Sequence, residues 1–176
     1  MQSFKFLVLL TCAILAITPV SSDFYIYRMW QTFAHLEGGT ESYSEEYAFF
    51  PGPPSCNDVD DRWHAQDGKH DVSGHKHGVR CEGDCGPFKP FDPKIVEFNN
   101  GIGHYTYYKD SNGELRDTRD KVVGHCHSDA SDGVKCFSYR ADMNGLGMWY
   151  GNSMVYCETS LTACKVFYDP KVEKQC

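Results

Sequence analysis

Cysteine is the feature that most constrains this chain, because eight of its nine cysteines follow an apolar leader. An even number of cysteines in a secreted chain predicts a disulfide framework, here of four bridges. The cysteines concerned are Cys56, Cys81, Cys85, Cys126, Cys136, Cys157, Cys164 and Cys176. Eight cysteines allow 105 pairings, so the spacing leaves the connectivity open.

The leader itself, residues 1–22, predicts a secretory signal peptide. Lys5 supplies one positive charge, an apolar run covers residues 6–17, and small residues precede Asp23, where we expect cleavage. The run is too short to span a bilayer, and no later stretch is long enough to act as a membrane anchor. We therefore expect a secreted, extracellular protein. Residues 23–176 would form a single disulfide-rich domain, and we expect a monomer.

The charge of the chain disfavours two classes of partner. The sequence has 17 basic and 24 acidic residues, and removal of Lys5 with the leader leaves 16 against 24. Because no basic run is present, binding to the nucleic-acid backbone or to an anionic membrane surface is not expected, unless the chain is ribonuclease-like. The eight histidines protonate below about pH 6 and would then cancel much of the negative charge.

Short aromatic and β-branched runs between turn residues predict the fold class. Predicted strands cover residues 24–30, 42–50, 78–81, 94–98, 103–109, 121–126, 134–140, 148–158 and 163–168, with turns at 51–54, 110–113, 129–133 and 144–147. Residues 55–92 are polar and poor in aliphatic side chains, which predicts a loop-rich region held by bridges. Short helices fit within 32–37 or 160–165. The pattern predicts a mainly β fold, a single compact antiparallel sandwich or barrel-like domain stapled by disulfides.

The first candidate site is an acid–base set of Glu97, His104, His125 and Arg140. Small secreted β-rich ribonucleases use a carboxylate, histidines and an arginine to move protons and to stabilise charge on phosphate. The sequence has no nucleophile elbow, zinc-protease helix motif or phosphate-binding glycine loop. A small ribonuclease-like hydrolase is thus the enzymatic alternative for this chain.

The second candidate site rests on two His-x-His pairs, His75 with His77 and His125 with His127. Residues i and i+2 of a strand point to the same face, so each pair could bring two imidazoles to one zinc or copper ion. Solvated histidines in polar loops explain the same pattern more simply. We therefore expect no cofactor, and a metal-binding secreted protein is a further alternative.

The aromatic side chains give a third possibility. Trp30, Trp63 and Trp149 could stack on sugars or fill a pocket of a partner. Core packing accounts for most aromatic residues in a chain of this kind. Trp63 lies in the polar, histidine-rich segment, so we expect it to be the most exposed of the three.

Several short motifs are spread over the mature chain: DFY at 23–25, DVSG at 71–74, GVRCEGDC at 78–85, FNN at 98–100, HYTYYKD at 104–110 and GHC at 124–126. Together they resemble small cysteine-rich secreted proteins of filamentous fungi. The histidine-rich stretch at 64–77 departs from that pattern. The resemblance implies a secreted effector or toxin-like protein that binds a protein or glycan of a host or competitor, without an activity that can be assigned to particular residues. A non-catalytic binding protein is therefore the main functional expectation.

Overall fold

The structure is a computed structural model that describes residues 23–35, 42–62, 66–86, 91–100, 103–130, 133–140 and 145–161. These residues form ten strands and one helix: β1 (Phe24–His35), β2 (Ser42–Phe50), α1 (Cys56–Arg62), β3 (Gln66–Asp67), β4 (Gly78–Asp84), β5 (Asp92–Asn99), β6 (His104–Tyr108), β7 (Glu114–Asp117), β8 (Val122–Ser128), β9 (Gly133–Arg140) and β10 (Gly145–Thr159). The predicted mainly β, barrel-like fold is confirmed.

The strands form one antiparallel sheet that curls into a nearly closed barrel. Their order is β3-β2-β1-β10-β8-β7-β6-β5-β4, and β9 pairs with β10 outside that path. The two ends of the sheet meet through a parallel bridge between Gly68 and Val79, where the Lys69 amide donates to the Val79 carbonyl at 2.8 Å. The curled sheet is thus joined end to end at this bridge.

The barrel interior is the first of two apolar cores. Alternation along β1 turns Phe24 and Ile26 inward, where they pack with residues such as Phe98 and Leu115 from the opposite wall. The register between β1 and β10 shifts next to Met154, so that Met154 joins this core as well. Inward side chains from eight strands thus build this core.

A second core lies on the other face of β1, β2, β9 and β10. Tyr27, Met29 and Trp149 pack there against Val59 of α1. Helix α1 begins with a capping box, because the Ser55 hydroxyl accepts from the amide of residue 58 while that residue's carboxylate accepts from the Ser55 amide. The helix therefore covers a sheet face that would otherwise expose large apolar side chains.

Three disulfides cross-link the described residues. Cys126 and Cys157 lie directly opposite each other on β8 and β10 inside the barrel core. Cys56 joins the start of α1 to Cys136 of β9, 80 residues away, and Cys81 closes a short loop with Cys85. Cys164 and Cys176 lie outside the described residues, so the fourth predicted bridge stays a prediction.

The sequence located most strands but misplaced other elements. The strand at residues 42–50 is confirmed at both ends, and the turn at 110–113 is confirmed by positive φ at Asn112 and Gly113. The predicted turn at 144–147 is wrong from Gly145 onward, where β10 begins. The helix expected within 32–37 is wrong for Thr32–His35, which continue β1, because pairing with two neighbouring strands outweighs local preference.

Within the segment expected to be loop-rich, residues 55–92, the structure forms α1, β3 and β4. The helix expected within 160–165 and the strand expected at 163–168 fall largely or wholly outside the described residues. None of the helical segments in the described part of the chain has the length and apolar character needed to cross a bilayer.

Candidate functional site

Two of the predicted acid–base residues, Glu97 and His104, meet on the outer surface of the barrel. Strand β5 pairs with β6 so that Glu97 lies opposite Thr106, which places His104 diagonally across from it on the same face. The His104 Nε2 atom lies 2.7 Å from Glu97 Oε1. Both side chains are largely buried, with 20% of His104 and 16% of Glu97 exposed.

The arginine that contacts Glu97 is Arg80, which the sequence analysis did not include in this set. Arg80 lies directly opposite Glu97 on β4, and its Nε donates to Glu97 Oε2 at 2.8 Å. It also forms an ion pair with Glu82, two residues along the same strand. The hydrogen bond to Glu97 raises the pKa of Arg80 above its ordinary value, so this guanidinium stays charged. We call Arg80, Glu97 and His104 the polar cluster.

His125 does not join the polar cluster. It lies on β8, three strands from β5, opposite Glu114 of β7 and Glu158 of β10. Three inter-strand spacings of about 4.8 Å separate it from the strand of Glu97 by about 14 Å. Arg140 lies at the end of β9, which pairs only with β10, and its side chain is outside the described residues.

The two His-x-His pairs occupy different surroundings. His125 and His127 are exposed on the same face of β8, and the His127 ring packs against Tyr156 at 5.1 Å between centroids. His75 and His77 are exposed in the loop that precedes β4 and are not on a strand. Across the described residues, no three histidine, cysteine or acidic side chains are grouped closely enough to hold a metal ion.

A second candidate surface lies where the sheet extends beyond the barrel. Strand β10 pairs with β9 over residues 145–152 and with β8 only over 155–159, so its first half lies past the barrel wall. The register there aligns Lys135, Tyr150, Trp30 and Glu45 in one row across β9, β10, β1 and β2. Directly opposite residues of antiparallel strands share a face, so this row faces away from the second core.

Ring contacts hold this row together. The rings of Trp30 and Tyr150 are nearly parallel, at 10°, with centroids 5.5 Å apart. The Lys135 ammonium lies 5.3 Å from the Tyr150 ring centroid and 5.2 Å from that of Phe137, two residues along β9. Phe137 is 68% exposed, the most exposed of the large hydrophobic side chains that the structure describes. We call Trp30, Lys135, Phe137 and Tyr150 the aromatic face.

Arg28 lies beside the aromatic face at the end of the barrel interior. It follows Ile26 on the inward side of β1 and is only 9% exposed. Its guanidinium lies 4.3 Å from the centroid of the Tyr47 ring and forms an ion pair with Glu45. Its Nε and Nη1 atoms are buried and have no hydrogen-bond acceptor within the described part of the protein.

The three tryptophans are placed differently. Trp149 is 7% exposed and belongs to the second core, whereas Trp30 is half-buried on the aromatic face. Trp63, expected to be the most exposed, lies outside the described residues. Sequence reasoning missed Arg28, Arg80 and Tyr150. Arg28 could have been identified from the sequence, because it is a charged residue at the alternating positions of β1 that are otherwise occupied by Phe24 and Ile26.

No family model matches this chain, and no curated protein or solved structure shows significant similarity to it. The chemistry of the two surfaces is therefore the basis for assigning a function. The polar cluster, together with the adjacent Glu82, places two carboxylates next to one guanidinium and one imidazole. The aromatic face instead presents ring surface with charged side chains at its border.

Proposed function

We propose that this protein is a secreted, non-catalytic binding protein that acts as an effector or toxin-like molecule on a host or competitor. The observation that carries the proposal is the aromatic face, where Phe137 is exposed next to the Lys135–Tyr150–Trp30 row. Exposed aromatic residues beside a cation are typical anchors of binding surfaces. The leader and the disulfides support secretion, since such bridges persist in oxidising compartments.

Retention on cells tests this proposal. Fluorescently labelled protein, oxidised and starting at Asp23, would be incubated with cells of candidate hosts and competing microbes and then washed. We expect retention by the native protein and its loss in the double variant Phe137→Ala/Tyr150→Ala. Tyr108→Ala is the matched control, because Tyr108 is a half-buried tyrosine on the outer face of β6. Equal retention of the native protein and the double variant would refute the proposal.

Secretion is tested separately by sequencing the amino terminus of protein from the culture medium. A start at Asp23 is expected. Protein found only inside the cells, with its leader intact, would refute this part of the proposal.

A second candidate function is ribonuclease-like hydrolysis, and the contact between Glu97 and His104 favours it. A carboxylate 2.7 Å from an imidazole can orient the ring and take part in proton transfer. The charge of the surroundings is less favourable, because Arg80 is already paired with two carboxylates that would repel a phosphate. This charge distribution favours binding over hydrolysis.

Release of acid-soluble nucleotides from yeast RNA tests the second function. A hydrolase that uses the polar cluster would lose its activity in Glu97→Gln and His104→Ala. It would retain activity in His125→Ala, because His125 lies on β8, three strands away from Glu97 in the sheet. Activity equal in all four proteins would indicate a contaminant, and no activity in the native protein would leave binding alone.

The zinc or copper site stays a prediction that elemental analysis can test. One ion per chain that leaves at about pH 5, where imidazoles protonate, would support it. The variants His75→Ala/His77→Ala and His125→Ala/His127→Ala would then show which pair binds the ion.

A further inference from the structure

We propose that the ligand of the aromatic face is a neutral carbohydrate chain. This inference rests on the proposed binding function and specifies the chemistry of the target. A pyranose ring has an apolar face of C–H groups and an edge of hydroxyl groups. It therefore matches a surface that combines flat rings with hydrogen-bonding side chains at their border.

The rings of the aromatic face form a short platform. Trp30 and Tyr150 lie on adjacent strands and stack on each other, and the Lys135 ammonium lies over the Tyr150 ring. Phe137, on β9, is 68% exposed. Across four strands the row spans about 14 Å, three spacings of about 4.8 Å. One ring of a sugar chain can pack on Phe137, and its neighbours can contact the outer edges of the stacked pair.

Polar groups at the border of the rings can bind sugar hydroxyls. Glu45 ends the row on β2 next to Trp30, and Arg28 holds its carboxylate through an ion pair. Arg28 Nε and Nη1 are buried without an acceptor among the described residues, although a buried unpaired donor costs stability. A positioning role toward Glu45 explains why an arginine occupies this inward position. Glu45 can then accept hydrogen bonds from sugar hydroxyls.

The exposed apolar area of this face suits a carbohydrate better than a protein partner. A stable protein interface buries about 800 Å² on each side around an apolar centre. In the described part of the chain, the exposed large hydrophobic residues are Phe137 and Val122, and Val122 lies on β8 away from the aromatic face. The described residues of the aromatic face therefore expose too little continuous apolar surface for that kind of contact.

The charge of the protein favours a neutral carbohydrate over an acidic one. Arg28 is paired with Glu45, and the Lys135 ammonium is placed against the rings of Phe137 and Tyr150. The chain as a whole carries a formal net charge of −7. An acidic polymer would be repelled by that excess at long range, whereas a neutral polymer would not.

Calorimetric titration with laminarihexaose, cellohexaose and chitohexaose tests the inference, with folding of each variant checked by circular dichroism. We expect the native protein to bind at least one of the three, with little dependence on salt. Tyr150→Ala and Phe137→Ala should each weaken binding about tenfold, as expected for loss of a stacking contact. Tyr108→Ala should bind like the native protein.

The variant Arg28→Met tests whether Arg28 positions the Glu45 carboxylate or is needed for folding. We expect it to weaken binding several-fold while the protein stays folded, and the additional variant Glu45→Gln should show the same loss. Binding unchanged in both variants would refute the role assigned to Arg28.

Three results would overturn the carbohydrate inference. They are no binding of any of the three oligosaccharides by the folded protein, binding that Tyr150→Ala leaves unchanged, and binding only to polygalacturonate that disappears in 0.5 M salt. Retention on cells that excess oligosaccharide does not compete away would also overturn it. In that last case the proposed binding function would stand, and the target would be a protein.

Discussion

The polar cluster and the aromatic face lie on two parts of one sheet, and they differ in how their arginines are satisfied. In the polar cluster, Arg80 bonds to two carboxylates, and each oxygen of Glu97 has a partner. Next to the aromatic face, Arg28 bonds to one carboxylate and leaves two nitrogens without an acceptor in the described structure. A fully bonded group contributes to stability, whereas an incompletely bonded buried group reduces it. We therefore expect the first region to contribute to stability, and the second is the one for which we propose ligand binding.

The largest expected effect is the loss of stability when the disulfide bridge near each region is removed. Cys56–Cys136 fixes α1 to the strands behind the aromatic face and closes a loop of 80 residues, whereas Cys81–Cys85 spans four residues beside Arg80. From chain entropy, Cys56→Ala/Cys136→Ala should lower the free energy of unfolding by about 4.5 kcal/mol. Cys81→Ala/Cys85→Ala should lower it by about 2 kcal/mol. Urea denaturation measures both, and an equal loss would contradict the assignment of the long bridge to the second core.

The next largest effect on the free energy of unfolding is expected from replacing one of the two arginines. Arg80→Met leaves Glu97, 16% exposed, without its main cation and should cost about 1–2 kcal/mol. Arg28→Met removes two unpaired buried donors and keeps apolar contact with Tyr47, so its free energy of unfolding should change by less than about 1 kcal/mol. A larger loss for Arg28→Met than for Arg80→Met in urea denaturation would reverse the comparison.

A smaller effect is expected from Glu46, on the face of β2 opposite to Glu45. Burial, and then repulsion from Asp67 directly opposite on β3, raise the pKa of Glu46 above its ordinary 4.5. The folded state therefore holds this proton more tightly than the unfolded state. As pH rises from 4.5 through the raised pKa, ionisation of Glu46 progressively reduces stability.

Glu46→Gln should consequently stabilise the protein by about 0.5 kcal/mol at neutral pH, a modest gain because the site is only partly buried. The gain should vanish at about pH 4, where both states are protonated. Thermal denaturation at the two pH values measures it, with Glu158→Gln on the exposed outer face of β10 as the control. A gain that persists at pH 4 would rule out ionisation as its cause.

The smallest effect on stability is expected at the most exposed part of the aromatic face. Phe137→Ala should change the free energy of unfolding by less than about 0.5 kcal/mol, because the side chain is 68% exposed. The same variant should lose binding to cells and oligosaccharides. If urea denaturation instead showed a loss of 2 kcal/mol or more, Phe137 would be a packing residue, and the contrast between the two regions would weaken.

Part of the fold and of the candidate sites was predictable because it depends on local patterns. Alternating aromatic and β-branched runs indicated the strands, and Asn112-Gly113 marked a turn. Gly113 is needed there, because its φ is positive and a Cβ would collide with the Cys126 carbonyl. Glu97 and His104 are in contact because they lie on strands that are neighbours both in the chain and in the sheet. The capping box that starts at Ser55 was also readable, but the polar composition of the segment hid it.

The sequence by itself determined most of the strands and the disulfide-forming cysteines Cys56, Cys81, Cys85, Cys126, Cys136 and Cys157. It did not indicate β3 or β7, which are short and polar. The tertiary structure alone decided that Arg80 joins Glu97, that His125 stays apart, and that Trp30, Tyr150 and Lys135 form one row. The physical reason is sheet register between strands distant in the chain. Alternation fixes which side chains share a face within a strand, whereas only the pairing of β1 with β10 and of β10 with β9 decides which residues lie side by side.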